Sequence, residues 1–435
     1  MHCVVVPNCS QRVSVRDWKL FRRVSKIMNK LIALAAGLTT AAWLSGAALA
    51  HEQDSWIGTW ATSPTGLPTV QKIGAYSVPP PTTLKGTIRY RLRVSLGGSQ
   101  IRLRFSNEYS DSPLSLAAAT VGLAGDGLDA LPGSLKRVTF SGKGFITIPA
   151  RAPVLSDAVD LAVKPLSDLV VSVYLPQGVS LSVWTSPFDP IVVQGSDATL
   201  VEHMSGSKSL SIRPLVSEVD VHTDRPRKVV VTLGDSITDG DINVITGERG
   251  WPGALARRLQ PQWIAVVNAG IGGNRLLQSM PMFGAAAPDR LDRDVLSVPG
   301  LSYIILLEGI NDIGMSGPRG MFGNTPIVDP QALIVADSEI IKRAHERGVR
   351  IFGATIMPFE GAEYYSVEKE KVREAVNEWI RTSKAFDAVI DFDKTVRDPA
   401  APHKLSAEYD SGDHLHPSSD GYRKMGEAID LHLFE

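Results

Sequence analysis

The stretch Lys228-Val229-Val230-Val231-Thr232-Leu233-Gly234-Asp235-Ser236 leaves this chain few choices of fold. The run Val229–Leu233 is apolar at nearly every position and rich in valine, the pattern of a central parallel strand covered on both faces. Gly234 permits a sharp turn at its end. Ser236 then sits just past the carboxyl end of the strand, where open α/β sheets place their chemistry.

Later segments repeat this layout. Ile264–Asn268 reads as a short buried strand running into Ala269-Gly270-Ile271-Gly272-Gly273-Asn274-Arg275. Leu301–Leu307 reads as a third, ending in Glu308-Gly309-Ile310-Asn311-Asp312. Val349–Ile356 and Ala388–Asp391 are a fourth and a fifth, and a loop with Gly412-Asp413-His414-Leu415-His416-Pro417 follows. Helical patterns lie between them: Trp251–Leu259 with Pro252 in its first turn, a helix capped by Asp329 and stopped near Gly348, one opened by Ser366 and running to about Ala385, and a last one from about Asp420 to Leu433. Strands alternating with helices predict right-handed crossovers and a parallel five-stranded sheet in flavodoxin-like order, a three-layer α/β/α domain over 228–435. Ser236, Gly273, Asn311 and the Asp413–His416 loop then gather at one edge of that sheet.

Those residue types suit acyl transfer. A serine hydroxyl needs a base to take its proton, and a neutral imidazole does this near pH 7. His416 is the candidate base, and Asp413, three residues earlier, is placed to orient it. The tetrahedral oxyanion needs preorganised donors, for which the backbone N–H of Ser236, the backbone N–H of Gly273 and the side-chain amide of Asn311 are candidates. Asp235 receives no catalytic role, and Asn274 and Arg275 either touch substrate or fix their loop. Competing motifs fail: the dinucleotide pattern begun at Gly270 ends on Arg275, and the Gly-x-Ser-x-Gly elbow is broken by Thr238. His414 and His416 with Asp413 lack a second ligand cluster for a metal. No cofactor and no metal are expected.

Taken together, Gly234-Asp235-Ser236-Ile237, Gly273 within Asn268–Asn274, Gly309-Ile310-Asn311-Asp312 and Asp413-His414-Leu415-His416-Pro417 resemble the four blocks of the SGNH, or GDSL, hydrolases. The resemblance runs from about Val229 to the end, with Ile237 in place of the leucine of the GDSL name. It implies Ser236, Gly273, Asn311 and His416 as the four name-giving residues, Asp413 as the triad acid, and an acyl-enzyme resolved by water. It implies carboxylic ester substrates such as acetylated sugars, short acyl esters or lysophospholipids.

The preceding half reads differently. From about Ser55 to Val221 short strands and turns dominate, so 51–222 is expected to be an antiparallel β-sandwich-like accessory domain, joined by the polar link 222–227. Thr87–Leu96 and Gln100–Ser106 alternate with period two about Gly97-Gly98, which predicts a β-hairpin with one wet face carrying Arg89, Arg91, Arg93, Arg102 and Arg104. Strands are also expected at Gly144–Ile148, Asp168–Leu175 and Leu181–Thr185. Trp56, Trp60 and Trp184 are expected in the core rather than as sugar platforms.

Residues 1–50 read as a leader. Lys30 precedes an apolar run from Leu31 that closes on Ala48-Leu49-Ala50, a secretory signal with cleavage expected after Ala50 and translation starting at Met1 or Met28. The chain is then secreted or periplasmic, with no stable membrane insertion after cleavage. Its two cysteines, Cys3 and Cys9, both lie in the leader, so 51–435 can form no disulfide. A net charge of −1 over 435 residues gives no pointer to nucleic acid. The expected partner is a small-molecule or polysaccharide ester, with the oligomeric state left open. The reading from another class is a non-catalytic carbohydrate-binding surface protein.

Overall fold

Valines with no exposed surface on either side require two apolar layers, and the run at 229–233 has them. Val229, Val230, Val231 and Leu233 are all 0 % exposed. The computed structural model describes residues 55–67, 72–73, 76–77, 82–181, 190–205, 207–209, 215–225, 228–240, 248–321 and 325–435. The expected leader, Trp184 and Pro226-Arg227 lie outside them. Among the described residues, no helix is long and apolar enough to cross a membrane.

Strand Lys228–Gly234 pairs in parallel with Ile264–Gly270 on one side and Leu301–Leu307 on the other. Arg350–Ala354 and Ala388–Ile390 continue the sheet, giving the order second-first-third-fourth-fifth. This is the flavodoxin-like order expected, in an α/β/α domain. Helices Pro330–Glu346 and Val367–Thr382 pack on each other, as do Gly250–Leu259 and Ser419–Ala428. The caps are those legible in the sequence: the Asp329 side chain accepts from Gln331 N and the Ser366 side chain from Lys369 N, each worth about 1 kcal/mol. The last helix is shorter than expected. It ends at Ala428, Ile429 is extended, and the Asp430 side chain caps a separate 3₁₀ turn at Leu431–Phe434.

Residues 55–222 build two larger antiparallel sheets. One has the order Trp56–Ala61, Val216–His222, Ile101–Ser106, Pro153–Leu155. The other runs Ser207–Ser209, Pro190–Gln194, Thr82–Arg93, Asp168–Leu181, Ala118–Leu123, Lys136–Arg137. Tyr90 Oη, from the second sheet, accepts from Val216 N in the first at 3.3 Å.

The expected hairpin does not form. Thr82–Arg93 pairs with Asp168–Leu181 and Pro190–Gln194, while Ile101–Ser106 pairs with Val216–His222 and Pro153–Leu155. Gly97-Gly98 is part of a crossing from one sheet to the other. Val94 and Leu96 are fully buried there, and Ser95 N donates to Thr59 O. Nor do the arginines share a wet face. Arg89 is 0 % exposed, its guanidinium spent on Ser172 Oγ and the carbonyls of Thr199, Val201 and Glu202. Arg91 and Arg93 pair with Asp168, Arg102 with Asp220 and Arg104 with Glu108. Trp56 is buried beneath the Arg102 guanidinium, and Trp60 packs against the core.

Trp56–Glu435 forms one compact unit. Strand Trp56–Ala61 packs against Ile264–Gly270 of the parallel sheet. Beside that contact Gly58 N donates to Pro299 O at 2.9 Å, and Ser95 Oγ accepts from Val266 N at 3.1 Å.

Candidate active site

The sharp turn after Leu233 requires a residue without a side chain. A Cβ on Gly234 would lie 2.4 Å from Leu307 O and 2.3 Å from Thr238 Oγ1. Asp235 follows in extended conformation, and its Oδ1 accepts from Ile237 N at 2.9 Å. That bond starts the single helical turn Ser236–Asp239 and leaves Ser236, only partly buried, at its head.

His416 arrives from the far end of the domain. Its Nε2 lies 2.8 Å from Ser236 Oγ, and its Nδ1 lies 2.6 Å from Asp413 Oδ2. The loop is built to hold this pose. Asp413 Oδ1 accepts from Leu415 N and His416 N at 2.9 and 2.8 Å, and from Ser411 Oγ at 3.1 Å. Burial would raise the Asp413 carboxyl, but the His416 hydrogen bond and charge, with those two N–H groups, hold it well below the usual carboxylate range. His414 takes a left-handed backbone (φ 61°) and bonds Asp410 Oδ2 through Nδ1 at 2.5 Å. Its ring packs over Gly361 instead of joining His416.

Gly273 and Asn311 stand where the second and third strands end. Gly273 has φ 74°, and an added Cβ would meet the Phe283 ring at 2.4 Å. Asn311 is buried in the first turn of helix Ile310–Met315, and its Nδ2 donates to Asn274 O at 3.1 Å. A primary amide carries two such hydrogens. Asn274 and Arg275 fix the loop: Asn274 Nδ2 donates to the carbonyls of Phe283 and Ala285 at 2.7 and 2.8 Å, and Arg275 Nη1 to Gln278 Oε1 at 2.8 Å.

Several residues here carried no role in the sequence reading. Asp312 receives Leu276 N and Leu277 N at 2.8 and 3.0 Å, tying the Gly273 loop to the Asn311 helix. Asn268 Nδ2 donates to Thr238 O at 2.7 Å and so holds the end of the serine turn. Arg290, in helix Ala287–Leu291, is 1 % exposed and reaches Gly234 O, Ala269 O and Asn274 Oδ1. Asp312 and Asn268 lay within the quoted blocks; Arg290 lay outside them and had no motif to reveal it. Glu370, Glu374 and His403 come close enough to hold a cation. Glu370, however, is already gripped by Arg373 through both oxygens.

Beneath the serine lie carboxyl groups whose charge is costly. Burial raises Asp235 from 3.8 to about 7, opposed by the Ile237 N–H and the nearby His416. Burial likewise raises Asp312 to about 6 against its two backbone bonds. Both native values exceed the unfolded one, so these groups' contribution to stability is complete below about pH 4 and is lost as pH rises through about 6 and 7. The melting temperature is therefore expected to fall from pH 5.5 to pH 8. Asp235→Asn keeps an oxygen for Ile237 N while removing the buried charge, so it should shrink that fall by several degrees. An equal fall in variant and wild type, by calorimetry at both pH values, would refute this.

Residues 232–424 match a family model, described as the GDSL-like lipase/acylhydrolase family. No curated protein matches the chain. Among solved structures, a lipolytic protein of the G-D-S-L family from Desulfitobacterium hafniense DCB-2 is 22 % identical, covering 46 % of this chain and 96 % of that one at a TM-score of 0.35. A carbohydrate acetylesterase from Sinorhizobium meliloti is 17 % identical, covering 47 % and 96 % at 0.36. An acetyl xylan esterase variant from Geobacillus stearothermophilus is 18 % identical, covering 46 % and 92 % at 0.35.

Proposed function

We propose that this carboxylic ester hydrolase, whose residues 232–424 belong to the GDSL-like lipase/acylhydrolase family, is an exported serine esterase that removes acetyl or short acyl groups, carbohydrate esters among its substrates. The observation that carries the reading is the 2.8 Å contact between Ser236 Oγ and His416 Nε2, continued at 2.6 Å to Asp413. His416 takes the hydroxyl proton as Ser236 Oγ attacks the ester carbonyl. Ser236 N, Gly273 N and Asn311 Nδ2 meet the oxyanion. His416 then returns its proton to the departing alcohol, and a water activated by the same imidazole frees the acid.

The Phe283 ring beside Gly273 supports a short acyl group, because it occupies space next to the proposed donors. The observation favouring longer chains is the apolar cluster of Met282, Phe283 and Met315, with Met280 and Met321 packed against it. Methionines adapt to varied shapes.

The test uses the chain recovered from the medium, expected to begin at His51. It is assayed on p-nitrophenyl acetate, butyrate and octanoate and on acetylated xylan, with a fluorophosphonate probe to mark Ser236. Labelling at Ser236 with rates falling from acetate to octanoate supports the proposal. Rates that rise with chain length favour the lysophospholipase or lipase reading. No turnover and no labelling would leave the carbohydrate-binding reading.

A further inference from the structure

Three donors for one oxyanion, brought by three separate loops, need a common reference. The structure holds one candidate. Arg290 Nε donates to Asn274 Oδ1 at 2.9 Å, Nη2 to Gly234 O at 3.0 Å, and Nη1 to Ala269 O at 2.6 Å. Gly234 is two residues before Ser236. Asn274 follows Gly273, and its carbonyl receives the Asn311 amide. The side-chain amide of Asn274 also holds Phe283 O, whose ring backs Gly273. One rigid guanidinium therefore holds the carbonyl of Gly234, two residues before Ser236, and the side chain of Asn274, which follows Gly273 and whose own carbonyl receives the Asn311 amide. A planar fork of five donors does this in a way that a point charge cannot.

The cradle of Arg290 is completed from the β-rich half. Arg290 Nη1 also reaches Ser63 Oγ at 3.1 Å and Asp294 Oδ2 at 3.3 Å. Two further bonds pin the same segment to that half: Gly66 N to Pro281 O at 2.8 Å, and Arg293 Nη1 to Tyr109 Oη at 3.0 Å. A Cβ on Gly66 would lie 3.0 Å from the Tyr109 ring and 3.1 Å from Pro281. The segment 281–294 is thus clamped between the β-rich half and the oxyanion loop.

We propose that Arg290 is a positioning residue that sets the three oxyanion donors in mutual register, and that the β-rich half takes part in the chemistry by fixing Arg290 through Ser63. This rests on the assignment of Ser236, Gly273 and Asn311 made above. The β-rich half is then a brace of the hydrolytic site, besides anything it binds.

The test compares full-length wild type, Arg290→Lys and Ser63→Ala for kcat and KM on p-nitrophenyl acetate. It also measures inhibition by an aryl trifluoromethyl ketone, whose hemiketal with Ser236 presents an oxyanion. A lysine keeps the charge but loses the fork. Arg290→Lys is expected to lower kcat about 10²-fold with KM nearly unchanged, and to weaken the ketone in parallel. Ser63→Ala, which leaves the sequence of the parallel-sheet half unchanged, is expected to lower kcat about five- to tenfold in the same pattern, in a protein that still folds cooperatively with a melting temperature lowered by a few degrees for the lost buried bond to Arg290. Should Arg290→Lys fail to fold, Ser63→Ala carries the test. Wild-type kcat and ketone affinity in a folded Ser63→Ala would overturn the link to the β-rich half. A loss confined to KM, or a loss of kcat without weaker ketone binding, would overturn the role in setting the donors. A wild type that neither hydrolyses the ester nor binds the ketone removes the esterase reading and this inference with it. That result is distinct from active variants on an active wild type.

Discussion

Ser236→Ala is expected to lower turnover of p-nitrophenyl acetate by about 10⁴-fold or more, with little change in KM or in melting temperature. Stability should hold because the Ser236 side chain, at the head of its turn and partly exposed, makes its hydrogen bond to His416. The helix start depends on Asp235, which the substitution leaves in place. His416→Ala should cost about as much, and the double variant no more than either single one, because hydroxyl and imidazole act as one unit. Asp413→Asn should cost less. The Asp413 side chain is 51 % exposed, so water screens its charge on the imidazole. The loss is still large, because an asparagine oxygen kept by Leu415 N and His416 N turns the amide N–H2 toward His416 Nδ1 and favours the wrong tautomer. Purified, folded Ser236→Ala that keeps more than about a tenth of wild-type kcat would end the serine mechanism. Fully additive losses in Ser236→Ala/His416→Ala would show that the two residues do not share a step.

What could be read from the sequence divides along a physical line. The parallel sheet was legible because its strands are covered on both faces, so each reads as an unbroken apolar run, and because Asp329 and Ser366 mark helix starts by local hydrogen bonds. Local bonds leave local signatures. The antiparallel half was misread where partners are distant in sequence. Period two in Thr87–Leu96 and Gln100–Ser106 states that each has two faces, but not which strand lies alongside. Arg89 alternates like a surface residue, yet it is buried because carbonyls more than 100 residues away receive it. The site divides in the same way. Ser236, Gly273 and Asn311 were candidates because each comes just after a strand, and His416 because it lies in a loop three residues after an aspartate. Arg290 could not be one, since nothing in Pro288-Asp289-Arg290-Leu291 distinguishes an arginine facing solvent from one bonded to Gly234, Ala269 and Asn274. Its partners belong to a strand end, a turn and the other half of the chain, and only the folded arrangement brings them together.

Gly273→Ala is expected to lower kcat by about 10²- to 10³-fold while KM stays within about threefold, the cost of misplacing one oxyanion donor. Two effects act on the same atom. At φ 74° an alanine is strained by roughly 1–2 kcal/mol, and its Cβ, at 2.4 Å from Phe283 Cδ1, cannot be accommodated without movement. The ring cannot simply retreat, since Phe283 is 3 % exposed and its carbonyl is held by Asn274. The loop must therefore shift, and the N–H of residue 273 leaves the position from which it would meet the oxyanion. Adding Phe283→Ala separates the two contributions. It removes the collision but not the backbone strain, so a Gly273→Ala/Phe283→Ala variant should recover part of kcat and not all of it. Recovery to the wild-type rate would place the whole effect in the collision. A Gly273→Ala single variant at more than about a third of wild-type kcat would remove the residue-273 N–H from the set of donors. The oxyanion would then be left to Ser236 N and the Asn311 amide.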